Sequence, residues 1–142
     1  MKVAGQVKLS LSVDMDIQAA LVDMQEAIQS ISWVDVVALE DQNTGNKNLV
    51  TIVPAGIEEE FNFGSVKRMH SFNMTLYSTA KDTNPATVQS RVSDINKAIL
   101  ADRHRNGNAL TTISGSWSDG DNEGRELITM ISEVQIHLLE NC

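Results

Sequence analysis

Two stretches of apolar residues at helical spacing interrupt a chain that otherwise alternates apolar with polar, and that order leaves few folds open. The first stripe is Ile17, Ala20, Leu21, Met24, Ile28 and Ile31; the second is Val88, Val92, Ile95 and Ile99, with Leu100 at its margin. Residues three and four apart share one face of a helix, so each stretch carries an apolar stripe that must be buried against another element. Asp14 and Asp16 offer N-caps for the first helix, and their charge suits the positive end of its dipole. Asn84-Pro85 opens the second: Asn caps, and Pro takes the first helical position, where its missing N–H costs nothing. That helix ends near Asp102, where Arg103 and Arg105 favour its negative C-terminus and Gly107 supplies a stop.

The remaining apolar residues follow a period of two. Val7, Leu9, Leu11 and Val13 alternate with Lys8, Ser10 and Ser12, which reads as a half-buried strand or an extended arm. Trp33 to Leu39 is a short valine-rich strand. Leu49 to Ile57 is another, in which Pro54 marks an edge or a bulge because proline cannot donate to a ladder. Met69 to Thr79 places His70, Phe72, Met74 and Leu76 on one face, with Ser71, Asn73, Thr75 and Tyr77 on the other. Leu110 to Trp117 and Leu127 to Leu139 are the last two strands, the second with Ile128, Met130, Val134, Ile136 and Leu138 on one face. The polar stretches 41–48, 58–68 and 118–125 read as loops, long enough to carry contacts. The order strand, helix, three strands, helix, two strands predicts an α+β fold. It has a mostly antiparallel sheet, two amphipathic helices packed on one face, and an N-terminal strand-like arm. With no linker in 142 residues, residues 1–142 are expected to form a single α+β domain in which 1–13 is the extended arm.

Charge narrows the function classes. The chain holds 11 Lys and Arg against 19 Asp and Glu, a formal net charge of −8, which disfavours general nucleic-acid binding because phosphate neutralisation needs a basic surface. The acids are concentrated in residues 32–64 and 109–142, while 65–81 carries Lys67, Arg68 and Lys81 with no acid at all. Two small basic clusters stand out, Lys67-Arg68 and Arg103-His104-Arg105. Two acidic clusters complement them, Glu58-Glu59-Glu60 and Asp119-Gly120-Asp121-Asn122-Glu123. Solvated loops are the plain reading of such clusters. The sharper one makes Glu58, Glu59, Glu60, Lys67, Arg68, Arg103, Arg105, Asp119, Asp121 and Glu123 complementary contacts between copies of the chain or with a partner, where charge sets register and on-rate.

No residue pattern names an enzyme, a metal or a cofactor. His70, His104 and His137 have no His, Cys or carboxylate at zinc-ligand spacing. There is no glycine-rich phosphate loop and no Gly-x-Ser-x-Gly elbow, since Ser114-Gly115-Ser116 lies within a predicted strand. Asp119-x-Asp121-x-Glu123-Gly124 imitates the first half of a calcium loop, but Met130 stands where the bidentate Glu belongs, so a hairpin loop is preferred over a cation site. Cys142 is the only cysteine, which excludes an intrachain disulfide. Trp33 and Trp117 are too few for an aromatic nucleic-acid platform and read as core or rim packing. Residues 1–13 lack the apolar core of a signal peptide, and no stretch approaches the ~18 apolar residues of a membrane span.

Over residues 16–140 the order of elements resembles the tail terminator (tail completion) proteins of long-tailed bacteriophages. The likeness runs through the helix Ile17 to Ile31, the short strand Val34 to Leu39, and the apolar strand Leu49-Val50-Thr51-Ile52-Val53-Pro54-Ala55 with its proline. It continues through an acidic stretch, the strand His70 to Tyr77, and the helix Thr87 to Leu100 leading into Ala101-Asp102-Arg103. The arm Lys2 to Val13 departs from the shorter starts of that family. The resemblance implies a non-enzymatic virion protein of the phage neck, assembled in the host cytoplasm. Such a protein forms a homo-oligomeric, hexameric ring on the head-proximal end of the tail tube, stops its polymerisation and docks to the head connector. Its partners would be copies of itself, the tail tube protein, the sheath where there is one, and the connector or stopper; DNA would pass through the lumen without specific binding, and no membrane or cofactor is involved. Two other readings fit the residues: a different connector, stopper or baseplate-associated subunit, and a small α+β ligand-binding or enzymatic domain.

Overall fold

The computed structural model describes residues 15–40, 48–62, 64–79, 85–119 and 127–141. The expected arm at 1–13, Asp14 and most of the 41–48 loop lie outside them. The elements are α1 (Ile17–Gln29), β1 (Val36–Ala38), β2 (Leu49–Asn62), β3 (Ser65–Thr79), α2 (Pro85–Leu100), β4 (Thr111–Ser114), β5 (Ser118–Asp119) and β6 (Leu127–Asn141). The fold is α+β. One sheet runs β1-β2-β3-β6-β4, with β5 also paired to β6.

Both helices cover the same face of that sheet. Phe72, Met74 and Leu76 of β3, Val134, Ile136 and Leu138 of β6, and Val50 and Ile52 of β2 all point to it, as the period of two requires. Ala20, Leu21, Met24 and Ile28 of α1 and Ile95 and Ile99 of α2 pack onto them in one core. Asp16 is the N-cap of α1, its carboxylate accepting from the Gln18 and Ala19 amides at 2.9 and 3.4 Å. The helix ends at Gln29, before the expected Ile31. Gln29 turns its amide to the next strand instead: its Oε1 accepts from Val37 N at 3.0 Å and its Nε2 donates to Asp35 O at 3.2 Å.

Several local features differ from the sequence expectation, and one strand pair is the exception in a mostly antiparallel sheet. β1 and β2 pair in parallel, with Val36 beside Leu49. The glutamines of α1 make this possible, because Gln25 Nε2 also donates to Val37 O at 3.0 Å and so satisfies the outer side of β1. Most of the expected loop at 58–68 is strand: β2 and β3 continue to Asn62 and Ser65, and Gly64 turns between them with φ +73. Cross-strand pairing of Glu59 with Arg68 and Glu60 with Lys67 favours that extension. The expected strand at 110–117 is shorter, and Ser118–Asp119 forms β5. Between them Gly115 N donates to Glu133 O at 2.7 Å. A Cβ on Gly115 would meet that same carbonyl oxygen at 2.7 Å, so the crossing admits only glycine. Finally, Arg91 takes a buried place on α2, while Leu100 is exposed.

Pro54 does mark a bulge. The register with β3 shifts between Pro54 and Gly56. β1 pairs only with residues 49–51, so from Ile52 onward the outer side of β2 carries no strand among the described residues.

Candidate interaction surface

Beyond the bulge, β2, β3 and β6 run together past the β1 end of the sheet. The registers give each row of this extension: Ile57–His70–Ile136, Glu58–Met69–His137, Glu59–Arg68–Leu138 and Glu60–Lys67–Leu139. Side chains alternate between faces, so Ile57, Glu59 and Phe61 share the face of the core, and Glu58 and Glu60 point to the opposite one. Ile57 and Phe61 are 60% and 71% exposed. Large apolar side chains so exposed on an outer strand, beside three acids, are the least expected feature of the surface.

The acidic and basic clusters at 58–60 and 67–68 meet within one copy. Arg68 forms an ion pair with Glu59 at 3.3 Å and a second with Glu140. Lys67 stands opposite Glu60. Part of the complementarity expected between copies is thus answered inside the hairpin.

Arg105 is a clear correction. Expected in a surface cluster, it is 1% exposed. Its guanidinium donates to the carbonyls of Ile99 and Asp102, at the C-terminus of α2, and pairs with Asp23 of α1 at 3.3 Å. Burial pulls its pKa down, against the favourable charges of Asp23 and Asp102. The turn behind α2 holds it there. Asp102 accepts from the amides of His104 and Asn106 at 3.1 and 2.8 Å, and these bonds, that of Asn106 foremost, lower its pKa. Arg105, Asn106 and Gly107 follow in the left-handed region, with φ of 49, 58 and 84. That conformation costs a residue like Arg, and the buried contacts of its side chain offset the cost. The helix-terminal role read from the sequence holds for Arg105; the surface role does not.

Arg103 and His104 are exposed on the same turn. Arg103 O accepts from Thr112 Oγ1 at 2.9 Å, which fixes the turn beside β4. Thr112 pairs with Ile136, and Ile136 with His70, which pairs with Ile57. Arg103 therefore lies level with the acidic segment of β2, at the opposite edge of the same sheet. Asp119 is exposed on β5; Asp121 and Glu123 lie outside the described residues. Among the described residues no three His, Cys, Asp or Glu side chains gather as a metal site would require.

His137 is buried on β6. Its Nε2 lies 3.0 Å from Gln135 Oε1, and its Nδ1 has no hydrogen-bond partner among the described residues. Burial lowers its pKa and nearby Lys67 lowers it further; His70 is lowered by burial and then by Arg68. Between the ordinary value of about 6.5 and these depressed ones, the unfolded chain binds more protons than the folded one. Stability is therefore full above pH ~6.5 and falls as the pH drops below it. Thermal unfolding followed from pH 7.5 to 5.5 should show a falling midpoint, and His137→Gln should flatten that slope. An unchanged slope in the variant would remove His137 as its cause.

Comparison with known proteins adds a likeness of fold. No protein family and no curated protein matches the sequence. Among solved structures, the chain is similar to one in the virion of a native gene transfer agent (GTA) particle, with a TM-score of 0.60 and 12% identity, covering 92% of this chain and 99% of that one.

Proposed function

We propose that this chain is a structural protein of a phage-like virion, and that it acts as a tail terminator: a ring, most simply of six copies, that caps the head-proximal end of the tail tube and docks to the head connector. The observation that carries the reading is the placement of charge. Glu58, Glu59 and Glu60 line one edge of the sheet, and Arg103 stands level with them at the other. A patch at one edge that complements a different patch at the opposite edge makes a heterologous contact, which closes into a ring or runs on as a filament. The likeness of fold to a chain of a gene transfer agent virion supports a place in such a particle. The acidic composition suits a channel through which DNA slides without sticking.

Light scattering on a sizing column, with negative-stain imaging in the presence and absence of tail tube protein, tests this. Rings are expected, and they should weaken as salt rises because the contacts at their rim are screened. Arg103→Glu should reduce assembly without lowering the unfolding midpoint, and Glu59→Lys in the same chain, on the face that Arg103 shares, should restore part of it. Monomers at every concentration, with no decoration of tube ends, would defeat the reading. Capture by the connector but not by the tube would move the protein to the head side of the neck.

A further inference from the structure

We propose that residues 6–13 of one copy add as an outer strand to the free edge of β2, residues 56–62, in the next copy. This deepens the ring reading and rests on it for the direction of assembly.

The edge is the first reason. From Ile52 to Asn62 the outer side of β2 has no strand beside it among the described residues, which leaves a row of backbone donors and acceptors to be met. Soluble proteins cover or spoil such edges, and this one is only partly spoiled, by Pro54 and its bulge. Beyond the bulge it runs in regular register for seven residues and exposes Ile57 and Phe61.

Chemistry selects the occupant. Glu58, Glu59 and Glu60 repel a second acidic β2, so like edges do not pair. A basic strand is admitted. Residues 1–13 contain Lys2 and Lys8 and no acid, and Val7, Leu9, Leu11 and Val13 alternate with Lys8, Ser10 and Ser12. A strand with that pattern lays its apolar side chains on the face of Ile57 and Phe61. The same alternation turns Lys8 to the other face, where Glu58 and Glu60 point. One register thus satisfies the apolar and the charged requirement together.

Topology selects the neighbour. Leu139 N donates to Met15 Sδ at 3.4 Å, so the chain reaches α1 from beside the outer side of β6. In the row Glu60–Lys67–Leu139, β2 lies at the far end from Met15. Donor and acceptor occupy opposite edges of one sheet, on the same two sides as Arg103 and the acidic segment. Only Asp14 stands between the added strand and Met15, a step of ~7 Å, so the receiving edge of the next copy must lie directly beside the β6–β4 edge of the donor, as edge-to-edge assembly requires.

The test uses full-length chains with Cys142→Ser. One population carries Leu9→Cys or Leu11→Cys; the other, with a tag that changes its size, carries Ile57→Cys or Phe61→Cys. Mixing and oxidation should give a disulfide between the two kinds of chain in at least one of the four combinations. In chains without the introduced cysteines, Leu9→Asp with Leu11→Asp should reduce the assembled fraction at least tenfold, with the unfolding midpoint kept. Rings without any mixed disulfide would overturn the strand exchange and leave the ring reading intact. A mixed disulfide in an open chain of copies would uphold the exchange and overturn the ring. In a third population, which carries an arm cysteine and an edge cysteine in the same chain, a disulfide formed only within single chains would assign the edge to the copy's own arm and overturn the exchange.

Discussion

Arg105→Ala is expected to cost about 3–4 kcal/mol of stability, enough to lower the unfolding midpoint by about 10 °C in a chain of this length. Three losses combine. The Ile99 and Asp102 carbonyls lose their donor at a helix end, Asp23 loses its counter-charge, and the guanidinium leaves a void. Asp23 is 34% exposed, so water recovers part of its charge and the figure stays below that of a fully buried pair. Arg105→Lys should fall between, because an ammonium keeps the charge but cannot fork to two carbonyls. Arg103→Ala, on the same turn and exposed, should stay within about 0.5 kcal/mol. Chemical denaturation of the three variants measures the contrast. Equal costs at 103 and 105 would mean that the buried contacts of Arg105 contribute nothing net.

The contrast between these two arginines shows what the sequence could and could not reveal. Periodicity located both helices and the long strands, because apolar side chains at fixed spacing have one physical use. It assigned Phe72, Met74 and Leu76 to the covered face, where the structure has them. Hairpin against parallel pairing was not legible. The parallel contact of β1 with β2 depends on Gln25 and Gln29, whose amides reach a strand several residues further along, and a glutamine on a helix has no signature for that task. Charge misled where it was read one dimension at a time. Glu58-Glu59-Glu60 and Lys67-Arg68 read as the two ends of one polar loop, 58–68, and the turn at Gly64 folds them into facing strands. Arg103 and Arg105 are two apart, and a left-handed turn sends one to the surface and the other inside. The placement of the acidic edge and Arg103 on opposite sides of the sheet comes from strand register, which no one-dimensional reading of charge contains.

Arg91→Met should destabilise the chain by about 2–3 kcal/mol, and Trp33 should report the change. The apolar stripe of α2 passes through this position, yet the residue there is an arginine, 7% exposed. Its guanidinium donates to Ser78 Oγ and to Asn48 Oδ1, the latter at 3.2 Å, and lies 5.1 Å from the centre of the Trp33 ring. Trp33 Nε1 in turn donates to Asp94 Oδ2 at 2.9 Å, one helical turn along from Arg91. The cluster ties the loop after α1, the start of β2 and the end of β3 to one helix face. Methionine fills much of the same space, so the loss measures polar contacts and the cation on the ring rather than a cavity. A double-mutant cycle with Trp33→Leu isolates the ring: a coupling of about 0.5–2 kcal/mol is expected if the cation–π contact contributes in this partly desolvated setting. Trp33 fluorescence should shift in Arg91→Met while the near-ultraviolet signal of Trp117, which donates to Asn96 Oδ1 at 3.0 Å on another face of α2, stays as it was. A coupling of zero would leave the hydrogen bonds alone to account for an arginine on an apolar stripe. A coupling in the expected range would show that this helix is fastened by two different devices, burial along Ile95 and Ile99 and a caged cation one turn earlier.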